Sequence, residues 1–216
     1  LRREHEEGSC ARCWQAASDT LKAALVSAAH AHCWRMPTFV ALLRGVNVGK
    51  SKRVPMGELR ALLSGMGYTG VATLLNSGNA VFRARGGTPA KHSADIAAAL
   101  STQLKVEVPV IVKSSSELAA IVAENPLEAK ADQHPRFLVA FVQDTKALSG
   151  LAAIESLVTP PEQFARGKSA AYLFCAAGIL ESKAAVALLG QRRTSVTTRN
   201  WATVLKLQAL AKQAGP

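Results

Sequence analysis

Thr38-Phe39-Val40-Ala41-Leu42-Leu43 is the stretch on which the fold turns. A run this short and this apolar suits a strand and is far too short to span a bilayer. In a strand, successive side chains alternate, so Phe39, Ala41 and Leu43 face one way and Val40 and Leu42 the other. Both faces are apolar. Such a strand belongs in a sheet covered on both sides. Residues 137–142, Phe-Leu-Val-Ala-Phe-Val, repeat the pattern far downstream.

Outward from residue 38, apolar runs alternate with stretches of helical period. The first strand is expected over residues 38–44 and a helix over 56–66, with Leu59, Leu62 and Leu63 on one face. Two strands, 71–75 and 80–83, flank the turn Asn76-Ser77-Gly78-Asn79. A helix over 89–104 and a strand over 107–112 complete a βαββαβ unit, the ferredoxin-like order. Another helix, 115–125, is capped near Ser114 and ended by Pro126. After a polar loop the pattern restarts: strand 137–142, helix 146–157, strands 163–165 and 172–175, and helices 183–190 and 199–212. That second order is βαββα. The expectation is an α+β protein of two duplicated ferredoxin-like halves, 36–125 and 126–216, whose doubly apolar strands make them pack into one compact body.

Composition agrees with a globular chain. Hydrophobic residues make up 49% of the 216 and charged residues 19%, which excludes a disordered protein. No charged segment followed by a long apolar run opens the chain, so a cytoplasmic protein without a membrane partner is expected. Lysine and arginine total 26 against 15 acidic residues, a net charge of +11. That field attracts phosphates or nucleic acid, and it also serves solubility alone.

The first methionine is Met36, directly before the deciding strand. Residues 1–35 therefore read as an upstream extension, helical or disordered. Cys10 and Cys13 form a C-x-x-C, followed by His30, His32 and Cys33. Thiolates and imidazoles can hold zinc, but a closed site needs a second paired knuckle and His30-Ala31-His32-Cys33 is not one. No metal or cofactor is expected.

Two polar clusters could carry chemistry. The first is Arg44-Gly45-Val46-Asn47-Val48-Gly49-Lys50-Ser51-Lys52-Arg53. Gly49-Lys50-Ser51 looks like the end of a phosphate loop. That motif requires a glycine where Arg44 stands, and its helix starts at the lysine rather than near Pro55 and Met56. A basic loop suited to an anion remains. The second cluster spans residues 191–201. Thr197 or Thr198 is expected to cap the last helix, setting Arg199 and Asn200 near its first turn, where an anion would be favoured. The alternative is an ordinary cap with Trp201 packed in the core. Nucleophile–base sets are missing: after Met36 the histidines are His92 and His134 and the cysteine is Cys175.

The segments Ala41-Leu42-Leu43-Arg44-Gly45-Val46-Asn47-Val48-Gly49, Asn76-Ser77-Gly78-Asn79-Ala80-Val81-Phe82 and Thr197-Thr198-Arg199-Asn200-Trp201-Ala202-Thr203-Val204 resemble the bacterial family called domain of unknown function 1697. Gly178-Ile179-Leu180-Glu181-Ser182-Lys183 is a looser match. The resemblance covers residues 36–210 and implies the duplicated fold, without an activity to carry over.

Three functions stay open. One is binding of an anionic or phosphate-bearing ligand through Arg44, Asn47, Lys52, Arg53, Ser77, Asn79, Lys183, Arg199 and Asn200. A second is an enzyme with a cleft between the halves, lined by Asn47, Ser77, Asn79, Lys183 and Arg199. The third is a nucleic-acid-binding or interaction protein, against which aromatic residues are only 5% and no stacking set lies on the strands.

Overall fold

In the computed structural model, the strand β1, Thr38–Leu43, lies at the centre of a four-stranded sheet. The structure describes residues 36–48, 52–190 and 196–214. The expected extension with its Cys10, Cys13, His30, His32 and Cys33, the glycine–lysine–serine of the basic loop, and residues 191–195 lie outside the described residues.

After β1 come helix α1 (Met56–Gly65), strands β2 (Thr69–Leu74) and β3 (Asn79–Arg83), helix α2 (Pro89–Leu104) and strand β4 (Val110–Ser114). Strand β1 pairs antiparallel with β3, Thr38 opposite Arg83 and Leu42 opposite Asn79. It also pairs antiparallel with β4, Phe39 opposite Ser114 and Leu43 opposite Val110. The sheet order is β2-β3-β1-β4. The fourth strand starts later than expected, beyond Pro109, a residue without an N–H to give a ladder.

Helix α3 (Ser115–Ala123) follows, opened by a reciprocal cap between Ser114 and Glu117. A short 3₁₀ helix, Ala131–Arg136, leads into strand β5 (Phe137–Val142). The helix expected over 146–157 is instead a 3₁₀ stretch, Thr145–Leu151, running into one α-helical turn, α4 (Ala152–Glu155). Gly150 sits at that change, where a residue without a side chain weakens a longer helix. Strands β6 (Gln163–Arg166) and β7 (Ala170–Phe174) and helix α5 (Lys183–Gly190) complete the expected series.

The end of the chain differs from the expected βαββα. Val196–Asn200 form an eighth strand, β8, antiparallel to β5, with Leu138 opposite Asn200 and Val142 opposite Val196. Helix α6 then runs Trp201–Gln213. Val196, Thr197 and Thr198 are β-branched and suit the pleated sheet better than a helix entry. The second sheet has the order β6-β7-β5-β8, the same arrangement as the first.

Three cores follow from the two-faced strands. Phe39, Ala41 and Leu43 pack under α1 and α2 with Leu59, Leu63, Ile96 and Leu100. Val40 and Leu42 enter a central core with Leu118 and Ile121 of α3 and Val204 and Leu207 of α6. Phe137, Val139 and Phe141 of β5 join that same core from the second sheet. Leu138, Ala140 and Val142 face a third core with Leu151, Ile154 and Leu188. Residues 36–216 thus form one compact unit. Polar ties reinforce the shared layer. The Tyr172 hydroxyl donates to the Ile121 carbonyl at 2.6 Å, and the Glu124 carboxylate accepts from the Lys168 and Ser169 amides.

Candidate functional site

At the end of β1 the backbone leaves the sheet, and the Arg44 amide donates to the Pro109 carbonyl at 2.9 Å. Gly45 and Asn47 both take left-handed conformations, with φ +63° and +58°, and Val46 between them drops into the first core. A small polar residue tolerates the left-handed conformation when its side chain bonds locally. Asn47 does so: its Oδ1 accepts from the Val54 amide at 2.9 Å, and its Nδ2 donates to the Val54 carbonyl at 2.9 Å and the Asn76 carbonyl at 2.6 Å. One asparagine therefore closes the basic loop on itself and ties it to the β2–β3 turn.

That turn fits against the loop only because Gly78 has no side chain. Its φ is +72°, and a Cβ there would lie 2.5 Å from Val46 Cγ2 and 2.7 Å from Leu43 Cβ. Between loop and turn opens a cleft of about 410 Å³, lined by Asn47, Arg53, Val54, Pro55, Met56 and Asn76. It lies at the start of α1, where Pro55 occupies the cap position without a side-chain cap. Arg53 is exposed and forms no ion pair among the described residues. Lys52, also exposed, donates from Nζ to the Glu107 carbonyl at 3.0 Å. Arg44 is half-buried, and desolvation lowers its pKa from the ordinary guanidinium value.

Arg199 has a different environment. It extends from β8, is 9% exposed, and spends every N–H inside the protein. Its Nε donates to Asn79 Oδ1. Nη1 donates to Thr197 Oγ1 at 3.0 Å and the Thr198 carbonyl at 2.7 Å. Nη2 donates to the carbonyls of Leu43 at 2.7 Å and Ser77 at 3.1 Å. A guanidinium has five N–H donors, and five oxygens meet them. Burial lowers its pKa to about 10, so it remains a cation at neutral pH, held by carbonyl and amide dipoles. Asn79 is fully buried and donates to the Leu74 carbonyl and Ser77 Oγ. Arg199, Asn79 and Ser77 thus meet at one point, joining the end of β1 and the β2–β3 turn to β8.

The remaining expected residues separate. Asn200 caps α6, accepting from the Thr203 amide at 2.9 Å. This corrects the expected cap at Thr197 or Thr198, which stand within β8. Trp201, 8% exposed, packs in the central core. Lys183 is exposed at the start of α5, whose buried face belongs to the third core. Arg53 and Asn47 line the cleft, Lys52 reaches to the Glu107 carbonyl, and Ser77, Asn79 and Arg199 form the buried tie. Asn76, Val54, Pro55 and Met56 are not among the site residues expected from the sequence, where Asn76 reads as a turn residue and Pro55 and Met56 as a helix start. A second cleft, about 550 Å³, is lined by Trp201 and residues between 125 and 133, among them Glu128 and Lys130.

Among the described residues no group of three or more histidine, cysteine, aspartate or glutamate side chains could hold a metal ion. None of their helices is long and apolar enough to cross a membrane.

Comparison with known proteins bears on the fold and the family. The conserved bacterial protein SP0830 from Streptococcus pneumoniae has a similar structure, with a TM-score of 0.68. The match covers 82% of this chain and 99% of that one at 23% sequence identity, a likeness of fold. No curated protein matches the chain. The family described as protein of unknown function, DUF1697, matches residues 36–172, more than half of the sequence and the whole of the first sheet with its basic loop. The chain therefore belongs to the DUF1697 family.

Proposed function

We propose that the protein binds a small anionic, phosphate-bearing ligand in the cleft between the basic loop and the β2–β3 turn. One observation carries this reading: an open cleft of about 410 Å³ whose lining includes Arg53, a guanidinium without an ion pair among the described residues. A guanidinium can grip a phosphate through two parallel hydrogen bonds. Asn47 and Asn76 frame the cleft, and Lys52 and Arg44 add positive charge along the same loop. The net charge of +11 draws anions toward the surface at long range.

The scaffold for this site is a duplicated ferredoxin-like arrangement, a reading supported by the same strand order in both sheets. Ser77, Asn79 and Arg199 serve that scaffold by tying the halves together. Arg199 has no donor left for a ligand.

Titration of the full chain with inorganic phosphate, followed by calorimetry, tests the reading. Arg53→Gln should weaken binding on the order of tenfold, the worth of one charge-assisted hydrogen-bond pair. Lys183→Gln, on α5, should leave it unchanged. Glu58→Gln should strengthen it, because Glu58 puts an exposed carboxylate on the first turn of α1. Affinity that ignores salt, or survives Arg53→Gln intact, would overturn the assignment.

A further inference from the structure

Exposed apolar side chains flank the residues that line the Arg53 cleft. Val48 is 71% exposed and Leu75 is 54% exposed. They are the chain neighbours of Asn47 and Asn76, which the 2.6 Å hydrogen bond holds together. Two exposed apolar residues therefore flank the asparagine pair that lines the cleft, and Val54, Pro55 and Met56 line the cleft itself. Leu75 also holds φ +58°, a backbone state that glycine or asparagine adopts at lower cost. With its side chain largely outside the core, packing does not account for a leucine there. The other exposed apolar residues do not combine these features. Leu157, Leu180, Val186 and Leu189 neither line nor adjoin in sequence the residues of the two clefts described above.

Resting on the anion reading above, we propose that the ligand is a small organic anion with a compact apolar or aromatic body. Its charged group meets Arg53, and its body rests on Val48, Leu75 and Met56. Charge selects one end of such a molecule, and removal of apolar surface from water favours the other.

The probes are methyl phosphate and phenyl phosphate, titrated into the full chain at about pH 8, where both are dianions. Phenyl phosphate should bind on the order of tenfold tighter, as expected from burying one face of the ring. Leu75→Asn preserves the left-handed turn while removing the apolar side chain. That variant and Val48→Ser should each bring phenyl phosphate toward the affinity of methyl phosphate and leave methyl phosphate unchanged. Equal affinity of the wild-type chain for the two probes overturns this inference while the anion reading stands. Failure of both probes to bind overturns both. Sedimentation of the chain with phosphatidylglycerol vesicles, lost in Leu75→Asn, would assign these apolar side chains to a lipid surface and overturn the small ligand.

Discussion

Arg199 carries a full charge into a place without a carboxylate, and its stability contribution follows from what is left behind when it goes. Arg199→Ala would strand the carbonyls of Leu43 and Ser77 and the Asn79 side chain, all deprived of the same donor. The expected loss is about 3–5 kcal/mol, read from urea unfolding midpoints. Arg199→Lys should recover only part of this, because an ammonium has three donors and no planar fork. His92 is a second buried polar side chain with a distinct signature. It is 5% exposed and surrounded by the rings of Phe39, Tyr68 and Phe82. Its Nδ1 shares a 2.9 Å hydrogen bond with the Tyr68 hydroxyl, and the other edge of its ring lies against Gly87. Desolvation lowers its pKa, against smaller opposing effects from the Gly86 backbone and Asp95, with Lys91 adding to the lowering. Below about pH 6.5 the unfolded chain therefore binds a proton that the folded one refuses. Stability should fall as pH drops through that value and level off below the folded pKa. In His92→Phe this part of the pH dependence should vanish, as measured by denaturation at a series of pH values.

At the scale of elements, the point of interest is the junction of β8 and α6. Five residues of strand pass directly into helix, and Asn200 is both the last strand residue and the helix cap. Its Oδ1 accepts from the Thr203 amide and from the Thr203 hydroxyl. Asn200→Ala should cost about 1 kcal/mol, and Asn200→Asp should be close to neutral, since a carboxylate also suits a helix start. Thr198→Val should be tolerated, because Thr198 contributes its carbonyl and not its side chain to the tie with Arg199. Thermal unfolding of the three variants separates a cap at residue 200 from one at 198. A cap near here is legible in the sequence, since Thr-Thr-Arg-Asn before an apolar run has cap chemistry. The sequence did not show that β5 lacked a partner on one side, and that missing partner is what draws residues 196–200 into a strand. The same limit moved the helix expected over 146–157. A helical period was present, but tertiary packing of Leu148, Leu151 and Ile154 on the third core was satisfied by a tighter turn.

For the whole molecule, the central core decides cooperativity. Helices α3 and α6 contribute to one layer that buries the inner faces of both sheets. Neither half can lose that layer without exposing Val40, Leu42 and Val81 on one side or Phe137, Val139 and Phe141 on the other. Unfolding should therefore give one calorimetric transition for residues 36–216. Leu207→Ala, at a fully buried position of α6, should lower the whole transition, with a cost of about 2–5 kcal/mol. Two resolved transitions would show that the halves are energetically independent.

Strands whose side chains are apolar on both faces are written in the chain, because period-two alternation is a local property. The order of the strands up to β7, the need for burial on both sides of each sheet, and the glycine and asparagine positions where the backbone turns are legible in the same way. What those elements do for one another comes from the packed fold. It put Asn47 against Asn76, making a cleft out of two segments distant in sequence. It set Arg199 against Leu43, Ser77 and Asn79, turning a residue with the chemistry of an anion site into a buried tie. A guanidinium in a sequence is only a set of donors. Whether those donors face oxygens of the chain or a ligand depends on which backbone carbonyls packing brings within reach.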